Sequence, residues 1–171
     1  VDRALTAGVT TNDVMDTVRA VAAKGVPTMV MSYWNPIERF GVQRFAQELA
    51  SAGGVGVITA DITPEEAGEW IAASEPLGLA RIFLVAPSST TERIAITTDA
   101  GSGFVYAAAV MGVTGARDHV GSAARELVER TRAATNLPIC VGLGVSSGPQ
   151  AAEIAEFADG WRGLFADLDA M

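Results

Sequence analysis

Apolar positions follow two alternating patterns along the chain. Short, nearly continuous apolar runs occupy Pro27–Tyr33, Val55–Ala60, Arg81–Ala86, Gly103–Ala108 and Leu137–Gly142. Runs of that length and continuity predict strands covered on both faces. Between them lie longer segments with helical spacing and helix punctuation. Thr10 reads as an N-cap with Asp13 three residues on, Val14, Val18 and Val21 recur on one face, and Gly25 ends the segment. Val42–Ala52 carries Phe45, Leu49 and Ala52 on one stripe before Gly53-Gly54. Thr63-Pro64-Glu65-Glu66 reads as a cap, a first-turn proline and a capping-box glutamate, with Trp70 and Ile71 giving that helix its apolar face. Thr90/Thr91–Ala100, Val120–Thr135 and Pro149–Phe157 predict three more helices.

Strand and helix alternating every 25–30 residues or so means parallel strands joined by right-handed crossovers. An open doubly wound sheet and a closed barrel both satisfy this. No GxGxxG opens the first unit, which weakens a dinucleotide-binding reading. Composition narrows the partners. Hydrophobic residues make up 49% of the 171, charged residues 19%, and the net charge is −8. An acidic surface repels nucleic-acid phosphates and anionic membranes. No apolar run reaches the roughly 18–20 residues of a membrane span. The opening residues lack a signal-peptide layout and a starting methionine and read as the tail of a helix, so the chain is expected to be cut from something longer or processed. A lone Cys140 rules out an intrachain disulfide and fits a reducing cytoplasm.

In either architecture ligands bind at the carboxyl ends of the strands. The residues there are Tyr33-Trp34-Asn35-Pro36, Asp61-Ile62-Thr63, Pro87-Ser88-Ser89, Ala109–Gly115 and Gly142–Ser147. The glycines of the last two suit either a phosphate held by backbone N–H groups or tight turns with no ligand. Tyr106 falls on the strand face shared with Phe104 and Ala108, where it either packs or orients a catalytic group. His119 is the only histidine and Cys140 lies in an apolar strand, so no metal cluster or hydrolytic triad is expected. Glu65, Glu66 and Glu69 read as a solvated first turn. Trp70 reads as core, while Trp34 fits local packing and a partner surface equally well.

Several of these segments resemble one family. Gly103-Phe104-Val105-Tyr106 followed by Met111-Gly112-Val113-Thr114-Gly115-Ala116 resembles the sixth strand and loop of tryptophan synthase alpha subunits. Tyr33–Pro36, Ala60-Asp61, Phe83–Pro87 and Val141–Ser146 resemble the ends of their third, fourth, fifth and seventh strands, in the same order. The resemblance implies an α/β fold of the (β/α)₈ TIM-barrel type. It implies a lyase of the tryptophan synthase class, which performs retro-aldol cleavage of indole-3-glycerol phosphate to indole and glyceraldehyde 3-phosphate. It implies no cofactor in this chain, with pyridoxal phosphate only in a partner beta subunit of an alpha-beta-beta-alpha complex.

By the same resemblance, Tyr106 would hydrogen-bond near the catalytic carboxylate and Thr114 would sit on a closing loop. Gly115 and Gly144 would cradle the phosphate. Met31, Ile58, Ala60 and Leu84 would line the indole slot. Asn35 and Pro36 would face the beta subunit, with Asp61 a supporting or interface-side acid. The family's two acid–base carboxylates belong to motifs that do not occur in this sequence, so Tyr106 and Thr114 are supporting residues only and this chain alone is expected to be inactive. Residues 161–171 depart from the family pattern. About five of eight βα units are expected, in a single partial barrel domain. The alternative is a non-catalytic alpha-like barrel that binds a beta subunit or a phosphorylated ligand.

Overall fold

The computed structural model describes residues 3, 6–109, 122–145 and 147–163. Their packing separates into two compact units, Val1–Arg81 and Ile82–Met171, each with its own sheet.

The first unit begins with α1 (Thr11–Ala22), where the expected capping box forms. The Thr10 N–H donates to Asp13 Oδ2 at 2.7 Å and the Asp13 N–H donates back to Thr10 Oγ1 at 3.4 Å. Met15 and Val18 are its buried face. Strand β1 (Thr28–Ser32) pairs in parallel with β2 (Gly54–Thr59), and β3 (Ala80–Ile82) completes the sheet in the order β1-β2-β3. Helix α3 (Val42–Ser51) buries Phe45, Ala46 and Leu49, and Trp70 of α4 (Gly68–Ser74) meets Phe45 edge-on at 6.3 Å.

Two expectations need correction here. Tyr33–Pro36 is not a loop, because α2 runs over Trp34–Phe40 with Tyr33 as its N-cap. Pro36 is tolerated because it sits in the first turn, where an N–H has no intrahelical acceptor to lose. Ile37, fully buried, anchors the helix. Thr63–Glu66 does not open a helix either. Its residues form a turn in which the Thr63 hydroxyl donates to Glu66 Oε2 at 3.0 Å and the Glu66 N–H bonds the Thr63 carbonyl. The turn ends at Ala67, which is the N-cap of α4, and the helix starts at Gly68.

The second unit holds the sheet β4-β5-β6-β7, parallel throughout. Its strands are β4 (Leu84–Val85), β5 (Val105–Ala107), β6 (Ile139–Val145) and β7 (Gly160–Gly163). Helices α5 (Thr91–Ala100), α6 (Ser122–Arg132) and α7 (Gly148–Ala155) accompany them. Val85, Val105, Ala107, Ile139, Val141 and Val145 form one core with Ile94 of α5, Leu127 and Val128 of α6, and Ile154 of α7.

The apolar run Arg81–Ala86 is therefore divided at Phe83. Ala80–Ile82 pairs in the first sheet, whereas the Phe83 carbonyl accepts from the Tyr106 N–H at 3.2 Å and Leu84–Val85 pairs with β5. The fifth predicted strand continues beyond Gly142 to Val145, so Gly144 is a strand residue rather than a loop residue. Strand β7 had no apolar signature. Gly160, with no Cβ, accepts Cys140 Sγ beside it: a Cβ there would lie 2.9 Å from the sulfur.

Candidate functional site

Each sheet has one face under helices, and in the first unit the other face is partly open. In the first unit Val30, Val57 and Thr59 are buried, while Met31, 42% exposed, stands opposite Ile58 in register. Ala60 continues the same alternation, and its N–H donates to the Ser32 carbonyl at 3.2 Å just beyond the strand end. The structure thus brings Met31, Ile58 and Ala60 onto one partly open face. Met31, Ser32 and Pro36 border a cavity of ≈ 220 Å³. Ile58 and Ala60 line neither it nor the ≈ 410 Å³ cavity beside Asn35, Pro36 and Arg39.

Asp61 has a definite role. Its Oδ1 accepts the Trp34 N–H at 2.7 Å, so the carboxylate after β2 fastens the first turn of α2 after β1. That contact joins Asp61 to the segment carrying Asn35 and Pro36. Tyr33 beside it is 67% exposed.

In the second unit, register places Leu84, Tyr106 and Cys140 side by side on the face away from the helix-covered core. Tyr106 is 6% exposed. Its ring leans along β6 over Gly142, and a Cβ on Gly142 would fall 2.1 Å from the hydroxyl oxygen and 2.2 Å from Cζ. Gly142 lies two residues beyond Cys140, the strand partner of Tyr106. The phenol therefore points toward the carboxyl ends of the strands, where (β/α) folds place their chemistry. The sequence marks Gly142 only as the end of a strand and the start of a glycine-rich turn. Its real constraint, room for the Tyr106 ring, depends on register between two strands and has no local signal.

At the opposite end of β6, Asp159 Oδ2 accepts from the Ile139 N–H at 2.8 Å and from Arg132 Nη2 at 3.0 Å. The Ile139 N–H, then Arg132, hold its carboxyl below the usual carboxylate range. Burial, and secondarily the Asp159 charge, push the Cys140 thiol up.

Thr114, Gly115 and His119 lie outside the described residues. Gly144 lies within β6 and Leu84 within β4.

The sequence profile of the family described as tryptophan synthase alpha chain matches residues 1–161. The chain belongs to that family. The tryptophan synthase alpha chain of Thermobifida fusca (strain YX) is 64% identical over 162 residues, which are 93% of this chain and 60% of that protein. The alpha chain of Mycobacterium avium (strain 104) is 57% identical over 159 residues, 93% of this chain and 59% of the relative. The chain thus spans about three-fifths of the length of these relatives. Among solved structures, tryptophan synthase from M. tuberculosis in its open form with BRD0059 bound is similar at a TM-score of 0.87 and 50% identity, over 95% of this chain and 61% of that one. The tryptophan synthase a2b2 complex of Pyrococcus furiosus is similar at 0.86 and 30% identity, over 94% of this chain and 66% of that one. With these neighbours the parallel βα units are those of a tryptophan synthase alpha chain, an α/β fold of the (β/α)₈-barrel type.

Proposed function

We propose that this protein acts in tryptophan biosynthesis as a lyase, in the retro-aldol cleavage of indole-3-glycerol phosphate to indole and glyceraldehyde 3-phosphate. The observation that carries the reading is the Tyr106 ring laid over Gly142 toward the carboxyl end of β6, in a chain that belongs to this family. Cleavage needs a proton delivered to the indole ring and one taken from the glycerol hydroxyl. In this reading Tyr106 orients the carboxylate that moves those protons, and Thr114 belongs to the segment that excludes water over the site. Gly115 and Gly144 offer backbone N–H groups to the phosphate. Met31, Ile58, Ala60 and Leu84 supply an apolar wall for the indole; the half-open face of the first sheet supports the first three.

The partner is a tryptophan synthase beta subunit, met by Asn35 and Pro36, with Asp61 holding their helix. The exposed Tyr33 and the Asp61–Trp34 bond support a preformed contact segment. The cleavage needs no cofactor in this chain, pyridoxal phosphate belonging to the beta subunit. We assign the protein to the cytoplasm; no helix of the described residues is long and apolar enough to cross a membrane.

The test uses the purified chain, alone and mixed with a beta subunit. No Glu or Asp here matches the two acid–base carboxylates of the family pattern, so the chain alone is expected to release no indole. It is expected to bind indolylpropyl phosphate, an analogue lacking the hydroxyls that cleavage needs, and to stimulate the beta subunit. Absence of both binding and stimulation would defeat the proposal. Indole release by the chain alone would overturn the assignment of Tyr106 and Thr114 as supporting residues only.

A further inference from the structure

Strand β4 contributes only two residues to its sheet, Leu84 and Val85. A strand this short gives the turn that follows little support. The turn is instead closed in two other ways. Within itself, the Ser89 N–H donates to the Ala86 carbonyl at 2.9 Å and the Ala86 N–H donates to Ser89 Oγ at 3.1 Å. From outside, Arg130 of α6 spans it. Nη1 donates to the Pro87 carbonyl at 3.3 Å and Nη2 donates to the Ser89 carbonyl.

The sequence separations are 43 and 41 residues, so this is a tertiary tie between two βα units. Leu127, Val128 and Thr131, all fully or almost fully buried, fix the part of α6 that carries Arg130. Among the described residues the guanidinium's partners are backbone carbonyls, not an acid. A planar fork with several fixed donors can serve two carbonyls at once, which a lysine ammonium does less well.

We propose that Arg130 is a positioning residue for the indole-glycerol phosphate site: it clamps the Ala86–Ser89 turn at the carboxyl end of β4 and thereby sets the wall that Leu84 begins. This rests on the function proposed above. Leu84 lies beside Tyr106 on the face of the sheet away from the helix-covered core, two residues before the clamped turn. A loosened turn lets that wall drift, and complementarity to a rigid ring is lost before the fold is.

The experiment compares Arg130→Met, which keeps the aliphatic stem, with Arg130→Lys, which keeps the charge. Three quantities are read in the whole chain: amide exchange at Ala86 and Ser89, the Kd for indolylpropyl phosphate, and the midpoint of urea unfolding. Arg130→Met is expected to speed exchange at both amides and weaken binding roughly tenfold, with the urea midpoint close to that of the parent. Arg130→Lys is expected to restore part of both. Unchanged exchange in Arg130→Met overturns the clamp. Faster exchange with unchanged Kd overturns the positioning role, and so does weaker binding that merely follows lost stability. Failure of the parent chain to bind indolylpropyl phosphate ends the positioning role; the function reading falls as well only if the parent chain also fails to stimulate the beta subunit, while exchange at Ala86 and Ser89 still decides whether the clamp exists.

Discussion

Gly142 and Tyr106 show how one residue's absent side chain can fix another's position. Any Cβ at Gly142 would overlap the phenol, with Cε1 at 2.5 Å as well as the hydroxyl and Cζ. Gly142→Ala is therefore expected to destabilise the chain by about 1–3 kcal/mol, the usual cost of overpacking. Replacing Tyr106 with Leu in the same chain should recover part of that loss, since the overlap involves the far end of the ring. Urea unfolding of the four members of this cycle gives the coupling, and strict additivity would contradict the contact. Asp61 makes a different single-residue case. Asp61→Ala removes the acceptor of the Trp34 N–H and is expected to cost about 1 kcal/mol, with Asp61→Asn costing less because its amide oxygen still accepts. If Asn35 and Pro36 meet the beta subunit, Asp61→Ala should lower that affinity by more than it lowers stability. Equal effects would place Asp61 in the fold alone. Tyr106 was legible in the sequence by alternation and by its motif. Gly142's constraint was not, because it exists only once β5 and β6 are in register.

Elements whose apolar stripe and cap lie within their own segment were legible in the sequence, and those set by distant partners were not. Capped α1 and striped α3 follow from Thr10, Asp13, Phe45 and Leu49. Helix α2 was missed because its first turn contains a proline and its first N–H is satisfied by Asp61, 27 residues away. Strand β7 was missed because Gly160-Trp161-Arg162-Gly163 has no alternation, its strand character coming from pairing with β6. The break at Phe83 reflects a change of pairing partner, invisible in a continuous apolar run. Trp70, fully buried against Phe45, is expected to cost about 3–5 kcal/mol on substitution by Ala in the urea assay; a loss under 1 kcal/mol would show that the first unit's core lies elsewhere. Asp159 joins the start of β6 to the residue before β7. Its pKa is lowered from an ordinary 3.8 by the Ile139 N–H, with Arg132 adding to it. The stability it contributes is thus fully present above that value and is lost as pH falls through the lower native pKa. Asp159→Asn should lower stability at neutral pH and flatten the acid limb below about pH 4. An unaltered acid limb would mean that other carboxylates govern it.

For the molecule as a whole, βα alternation pointed to parallel α/β units and left an open sheet and a closed barrel both standing; the family resemblance chose the barrel. Ordered motifs at the strand ends gave the family, whose profile covers residues 1–161. The site was only partly legible: Met31, Ile58 and Ala60 do share a face, yet the bond tying Asp61 to α2 and the Arg130 clamp span distant elements and leave no spacing to read. The net charge of −8 bears on the solution behaviour of the chain rather than on its fold. The lone Cys140 sits between Tyr106 and Gly160 in the paired strands, half-buried, with its thiol pushed up by burial and by Asp159. The thiolate is the reactive form, so a thiol-directed dye should label the folded chain slowly and the unfolded chain quickly. The second unit therefore carries its own clock: the labelling rate in native buffer, set against that of the unfolded chain, reads how far the fold shields this one thiol, without any probe being introduced.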